Sequence, residues 1–204
     1  DVDNRFTGNL SSGGSSSLVV NTTGVIKQAF FFNATNGGYI NYGNNSAFAF
    51  SNTNLTIMAW IKTSSSQSAG VVNRYNDDGS PNQFGWNLNA PATSGGNRDS
   101  GVVEIDFRNG TSEIKSVTTK TIDDNQWHHL TGVYYGAGRN PEVFIDGVNV
   151  SVSVSGTPFT GLPAVNSNFT IGHKMTVGFG TDMFRGSIDE VKLYNRSLSF
   201  AEIA

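Results

Sequence analysis

Phe184-Arg-Gly-Ser-Ile-Asp-Glu-Val-Lys-Leu-Tyr-Asn-Arg-Ser-Leu-Ser-Phe-Ala-Glu-Ile203 decides how the rest of the chain is read. A glycine leads into an alternating run, a turn follows, and a short capped helix ends it. On a regular strand Ile188, Glu190, Lys192 and Tyr194 point one way and Asp189, Val191 and Leu193 the other. Val191 and Leu193 are the core-facing pair, so Asp189 is expected inward beside them. Asn195-Arg196 breaks the strand. Ser199 then stands three residues before Glu202, the spacing of a reciprocal capping box. Phe200 and Ile203 anchor that turn.

Working outward, short apolar-alternating runs separated by turn residues fill residues 19–194, and no convincing helical period precedes Ser199. Asp146-Gly147 between Val143–Ile145 and Val148–Val150 specifies a two-residue primed hairpin turn. Asn109-Gly110 is read in the same way between Glu104–Arg108 and Glu113–Val117. A single strand is expected over Val148–Val154. Leu55–Lys62 is apolar at nearly every position and reads as a central strand covered on both faces. Residues 1–18, with Gly13-Gly14-Ser15-Ser16-Ser17 at their centre, read as a Gly/Ser-rich entry segment, and residues 19–204 as one domain. Many short strands at this spacing make the chain all-β, a sandwich or a barrel.

The 204 residues carry a net charge of -3 and no cysteine. Disulfide scaffolds and thiolate metal centres are excluded, and nothing suggests a polyanion-binding surface, so nucleic acid is not an expected partner. No apolar run approaches the roughly 18 residues that cross a bilayer, so this segment is not expected to insert directly into a membrane. Charged residues are only 14 %, against about 25 % in ordinary domains. Polarity comes from Asn, Ser, Thr and Gly instead, a profile of secreted and cell-surface β proteins. The chain starts at Asp1 and is expected to be a processed or excised piece. N-x-Ser/Thr sequons begin at Asn9, Asn21, Asn33, Asn44, Asn54, Asn109, Asn149, Asn168 and Asn195. Two readings stay open: glycosylation of a surface protein, and accidental sequons in turn-rich sequence.

Several stations occur in one order. They are Gly37-Gly38-Tyr39-Ile40, Leu55–Thr63, Gln126-Trp127-His128-His129-Leu130, Phe144-Ile145-Asp146-Gly147, Ile171-Gly172 and the closing Phe184–Ile203. In that order they resemble the laminin G-like domains of the concanavalin A-like superfamily, bacterial and archaeal type. The resemblance implies a two-sheet antiparallel jelly-roll sandwich with one short C-terminal helical turn. It implies recognition or adhesion rather than catalysis, and residues 1–18 match it poorly. The expected role is a non-catalytic extracellular module that binds carbohydrate or glycoprotein. The alternative is the outward domain of a glycosylated filament, pilus or surface-layer subunit, with self-association.

Candidate site residues follow. Glu104, Asp106 and Arg108 share one strand face. Some glucanases of the superfamily carry three acids on such a strand; here Arg108 or Asn109 stands where the last is needed, and neither is a carboxylic acid. Asp106 and Arg108 are therefore read as sugar contacts or as an ordinary polar face, and no catalytic residue is assigned. Tyr75 precedes the Asn76–Ser80 loop, Asp77 and Asp78 lie within it, and Trp86 follows it. The loop acids are a turn or oxygen donors, and Trp86 is a stacking platform or core. The resemblance also implies a structural Ca²⁺ at Asp189, for which Asp1, Asp3 and Asn4 are the available partners. The alternative there is an Asp bonded to backbone N–H groups. His128 and His129 alternate faces and cannot chelate one ion from a regular strand.

Overall fold

A computed structural model describes residues 9–12, 19–33, 38–50, 54–77, 83–94, 97–136, 138–159, 161–162, 165–174 and 182–204. Among these residues fifteen strands run in chain order: β1 Asn9–Ser12, β2 Val19–Thr23, β3 Gln28–Phe32, β4 Gly38–Asn41, β5 Leu55–Lys62, β6 Gly70–Asp77, β7 Gln83–Ser94, β8 Asn97–Asn109, β9 Ser112–Thr118, β10 Trp127–Tyr134, β11 Glu142–Ile145, β12 Val148–Asn149, β13 Ser151–Gly156, β14 Phe169–Ile171 and β15 Gly186–Tyr194. The single described α-helix, α1, is Phe200–Ile203. The strands form an eight-stranded sheet, β1-β4-β14-β6-β7-β8-β9-β13, and a seven-stranded sheet, β12-β11-β10-β5-β15-β3-β2. Every pairing between these strands is antiparallel. This is the expected two-sheet jelly-roll sandwich with one helical turn.

The alternation of side chains divides each strand between the core and an outer face. Ile57, Ala59 and Ile61 of β5, Trp86 and Leu88 of β7, and Val103, Ile105 and Phe107 of β8 meet in one cluster between the sheets. β5 lies centrally between β10 and β15, and its outer-facing Met58 packs with Val133, Phe144, Leu198 and Ile203. The C-terminal turn is thus the cover on the outer side of β5, which explains why that strand is apolar on both faces. Glu202 accepts from the Ser199 N–H at 2.9 Å and from the Ser199 hydroxyl at 2.9 Å, while the Arg196 guanidinium grips the same carboxylate.

Four local expectations change. The entry segment contains a strand: β1 pairs with β4 at the edge of the larger sheet. The run Val148–Val154 is two strands in different sheets. β12 turns back on β11 through Asp146-Gly147, both at positive φ, and after Val150 the chain crosses to pair β13 with β9. The β8–β9 loop is Gly110-Thr111, because Asn109 itself pairs with Ser112.

The last correction concerns β15. Asp189 pairs with Trp60 and Lys192 with Met58, so β15 carries one residue more than β5 across that interval. Glu190 absorbs the extra residue at a φ of 47°. Such a bulge reverses the alternation. Ile188, Val191 and Leu193 all pack on the main core, and Asp189 falls on the outer face, not inward beside Val191 and Leu193.

Candidate functional site

Register places a polar row across the outer face of the eight-stranded sheet. Asn41 of β4 pairs with Thr170 of β14, Thr170 with Asn73 of β6, Asn73 with Asn87 of β7, Asn87 with Asp106 of β8, and Asp106 with Lys115 of β9. Residues paired across antiparallel strands share a face. On one side of this row lies Tyr75–Gly85–Arg108–Glu113, and on the other Asn89–Glu104–Val117. Gly85 puts no side chain between Tyr75 and Arg108. Its φ is 127°, and a Cβ there would meet the Arg74 carbonyl oxygen at 2.2 Å, so the close approach of β6 and β7 requires glycine.

Asn87 Nδ2 donates to Asp106 Oδ2 at 3.4 Å and Asn89 Nδ2 to Glu104 Oε1 at 3.1 Å. Asn89 also donates to Asn87 Oδ1. Arg108 Nε donates to Asp106 Oδ2 at 3.2 Å, and its Nη2 pairs with Glu113. Lys115 Nζ lies 3.7 Å from Glu104 Oε2 and 3.6 Å from Glu113 Oε1. Asn73 Nδ2 and the Thr170 hydroxyl both donate to the His173 carbonyl, at 3.0 and 2.7 Å.

The row is shielded from solvent: Asn73, Asn87, Asn89, Glu104 and Asp106 are all buried. Burial, then the neighbouring Asp106 charge, pushes the Glu104 carboxyl above its ordinary range. Burial pulls the Lys115 ammonium down, but Glu104, Glu113 and Asp106 outweigh it and leave the group raised. Side-chain bonding on this face is incomplete. Asn73 Oδ1, Asn89 Oδ1, Glu104 Oε2 and Asp106 Oδ1 are buried acceptors with no hydrogen-bond donor among the described residues. A buried polar atom left in that state costs about 1–3 kcal/mol.

The sequence-derived residues divide accordingly. Asp106 and Arg108 come together in the row, and Tyr75 joins them, buried beneath the Lys174 ammonium 4.7 Å from its ring centre. Trp86 does not join them. It is fully buried in the core cluster, and a ring with no exposed face cannot stack on a sugar; the platform reading is corrected. Asp77 pairs by backbone with Gln83; its side chain and the whole of Asp78 lie outside the described residues. Asn73, Asn87, Asn89 and Lys115 were missed. The alternation Trp86-Asn87-Leu88-Asn89-Ala90 was the available signal, with apolar and amide side chains on opposite faces.

Asp189 meets the turn after β2. Its Oδ2 accepts from the Val25 and Ile26 N–H groups at 2.8 and 3.1 Å, and its Oδ1 from the Glu190 N–H at 2.9 Å. A Cβ on Gly24 would strike Oδ2 at 2.4 Å, so the turn rests directly on the carboxylate. Three donors aimed at one carboxylate compete with a cation for its lone pairs. That arrangement does not fit a Ca²⁺ shell built on Asp189. Asp1, Asp3 and Asn4 lie outside the described residues, and among the described residues no three His, Cys, Asp or Glu converge on a metal position.

Of the sequon residues, Asn33, Asn44, Asn149 and Asn195 are exposed, and Asn54, Asn109 and Asn168 are half-buried. The side chains of Asn9 and Asn21 lie outside the described set. Among the described residues no helix is long and apolar enough to cross a membrane.

Similar architectures occur in domain 4 of AbnA, a GH43 extracellular arabinanase from Geobacillus stearothermophilus, in complex with arabinotriose. The identity is 20 % and the TM-score 0.70, over 98 % of this chain and 88 % of that one. The CBM40 of the Ruminococcus gnavus IT-sialidase, bound to alpha2,3 sialyllactose, gives 15 % identity and a TM-score of 0.60 over 92 % and 95 % of the two chains. Domains LG4-5 of the mouse laminin alpha1 chain give 17 % and 0.61 over 92 % of this chain and 47 % of that one. No curated protein matches the chain. At these identities the likenesses establish the fold. A family model described as the concanavalin A-like lectin/glucanases superfamily matches residues 33–204. The chain therefore belongs to the laminin G-like family of that superfamily.

Proposed function

We propose that this chain is a non-catalytic, extracellular carbohydrate-recognition module that binds a neutral, hydroxyl-rich sugar on the outer face of its eight-stranded sheet. One observation carries the reading: Asn73 Oδ1, Asn89 Oδ1 and Asp106 Oδ1 are buried acceptors on a single face with no donor among the described residues. Sugar hydroxyls are donors. The cations beside them, Arg108 and Lys115, are already matched to carboxylates, so the unmet demand is for neutral donors rather than for an anion. The half-buried Arg108, Glu113 and Lys115 side chains form the rim a ligand displaces on entry. Tyr75 acts from below by supporting that rim. The arabinotriose and sialyllactose complexes of similar domains support the ligand class. The low charge and abundant sequons support an extracellular setting.

A glycan array followed by calorimetry tests the proposal. Asp106→Ala and Asn73→Ala should each weaken binding of the hit by about tenfold, the loss of one charge-assisted or buried hydrogen bond. Silence across the array, or unchanged affinity in both variants, overturns it. Hydrolysis of the hit that Glu104→Gln abolishes would overturn its non-catalytic part.

A second reading is the outward domain of a glycosylated surface assembly, and the exposure of Asn33, Asn149 and Asn195 favours it. Intact mass of natively produced protein decides, since a mass equal to the bare chain removes its basis.

A further inference from the structure

The seven-stranded sheet carries a depression on the opposite side of the sandwich. Strands β5, β15 and β3 set Lys62, Ser187 and Phe31 side by side in one cross-strand row. The Thr63–Gln67 loop and Arg185 wall it into a cleft of about 720 Å³, within the range of roughly 300–1,000 Å³ usual for small-molecule sites.

Its charge differs from that of the polar face described above. The described lining includes Lys62 and Arg185 and no Asp or Glu, in a chain whose net charge is -3. Neither cationic side chain has an ion-pair or hydrogen-bond partner among the described residues. In contrast, Arg108, Lys115, Lys120, Arg139, Lys192 and Arg196 each pair with a carboxylate. The backbone beneath these two side chains is fixed. The Thr63 hydroxyl donates to the Arg185 carbonyl at 2.6 Å, the Ser65 N–H donates to the Thr63 hydroxyl oxygen at 3.0 Å, and the Asn125 N–H donates to the Thr63 carbonyl at 2.8 Å. The remaining wall offers neutral hydroxyls and amides, and Phe31 presents an exposed ring.

We propose that this cleft is a second ligand site, for an anionic saccharide. Its carboxylate or sulfate bridges Lys62 and Arg185, its hydroxyls bond the Ser and Asn side chains, and its C–H face packs on Phe31. Arg suits such groups because its fork meets two oxygens at once. The site is independent of the neutral-sugar face, since no residue is shared.

The test is titration calorimetry on the full chain produced without N-glycans, because Asn33 lines the cleft. Three tetrasaccharides of equal length serve as probes: a polyuronate, a sulfated one and a neutral one. At least one anionic probe should bind, and which one separates carboxylate from sulfate recognition. Its affinity should fall at least about tenfold in Lys62→Gln/Arg185→Gln, and also as salt rises from about 50 to about 300 mM. Asp106→Asn should leave it unchanged. Both cleft side chains reach solvent, so the double variant should keep the wild-type melting midpoint. Equal binding of the neutral probe, binding untouched by the double variant, or failure of both anionic probes overturns the proposal. Loss in Asp106→Asn alone would assign the anion to the other face and also overturn it.

Discussion

The outer faces of the two sheets use polar residues in opposite ways. Around Asp189 on the seven-stranded sheet, one carboxylate oxygen is met by the Val25 and Ile26 N–H groups of a turn that folds onto it, and the other by the N–H of Glu190 in the adjoining bulge. Around Asp106 on the eight-stranded sheet, one carboxylate oxygen is met by Asn87 and Arg108 and the other by nothing described. Both acids are buried on strands. The difference is whether the fold itself supplies the donors. Where it does, the residue is structural; where it does not, the deficit points to something from outside. Replacing them should therefore cost different things: Asp189 stability, Asp106 binding.

The largest effect sharpens the core side of that contrast. Trp86→Ala should destabilise the domain by about 3–5 kcal/mol, as large-to-small changes in a packed core do, and chemical denaturation measures it. A fold left intact with only sugar binding lost would restore the platform reading of Trp86. Next comes Asp189→Ala, which removes the charge-assisted hydrogen bonds that the Val25, Ile26 and Glu190 N–H groups make to the carboxylate. We expect a loss of about 1–3 kcal/mol, with no change in the melting midpoint of wild type on adding EDTA. An EDTA shift abolished in Asp189→Ala would break the comparison, because Asp189 would then be a metal ligand. Asp106→Asn should move stability less than Asp189→Ala while weakening the neutral sugar.

Acidity separates the faces further. Burial and Asp106 raise the Glu104 carboxyl, so the folded state holds its proton to higher pH than the unfolded chain. Its contribution to stability is complete below the unfolded value of about 4.3 and is lost as pH rises through the folded value. Glu104→Gln should flatten that decline in melting midpoint with pH; an unchanged profile would assign it to other groups. The smallest effect is at Glu202, fully solvated, where the Arg196 guanidinium and then the Ser199 N–H hold the carboxyl down at about 2. Its contribution exists above the unfolded value and fades as pH falls toward about 2. Glu202→Gln should remove only that slight acid dependence, read from the far-ultraviolet signal of the C-terminal turn.

How far the sequence reached can be traced at single residues. Asp146-Gly147 announced its hairpin because only a few residues accept the positive φ that turn demands. Leu55–Lys62 announced a strand covered twice, since both of its faces are apolar. Asp106 and Arg108 were legible as one strand face. Asn87 and Asn89 were not, because amides in a Gly- and Ser-rich chain read first as turn residues; only pairing with β8 set them beside two carboxylates. The side of β15 on which Asp189 falls was equally hidden. Alternation assigns a face only while the ladder is regular, and one extra residue at Glu190 inverts it.

The closing stretch Phe184–Ile203 determined by itself that the chain ends in a strand, a turn and a short helix, because local alternation and capping chemistry are properties of neighbours along the chain. The tertiary structure alone decided what its acid does. Val25 and Ile26 lie more than 160 positions from Asp189, and no local pattern encodes which distant N–H groups arrive at a carboxylate. The same holds for the Asn, Glu and Asp acceptors of the larger sheet. Whether a polar group is satisfied depends on its partners in space, and register between strands distant in sequence sets those partners.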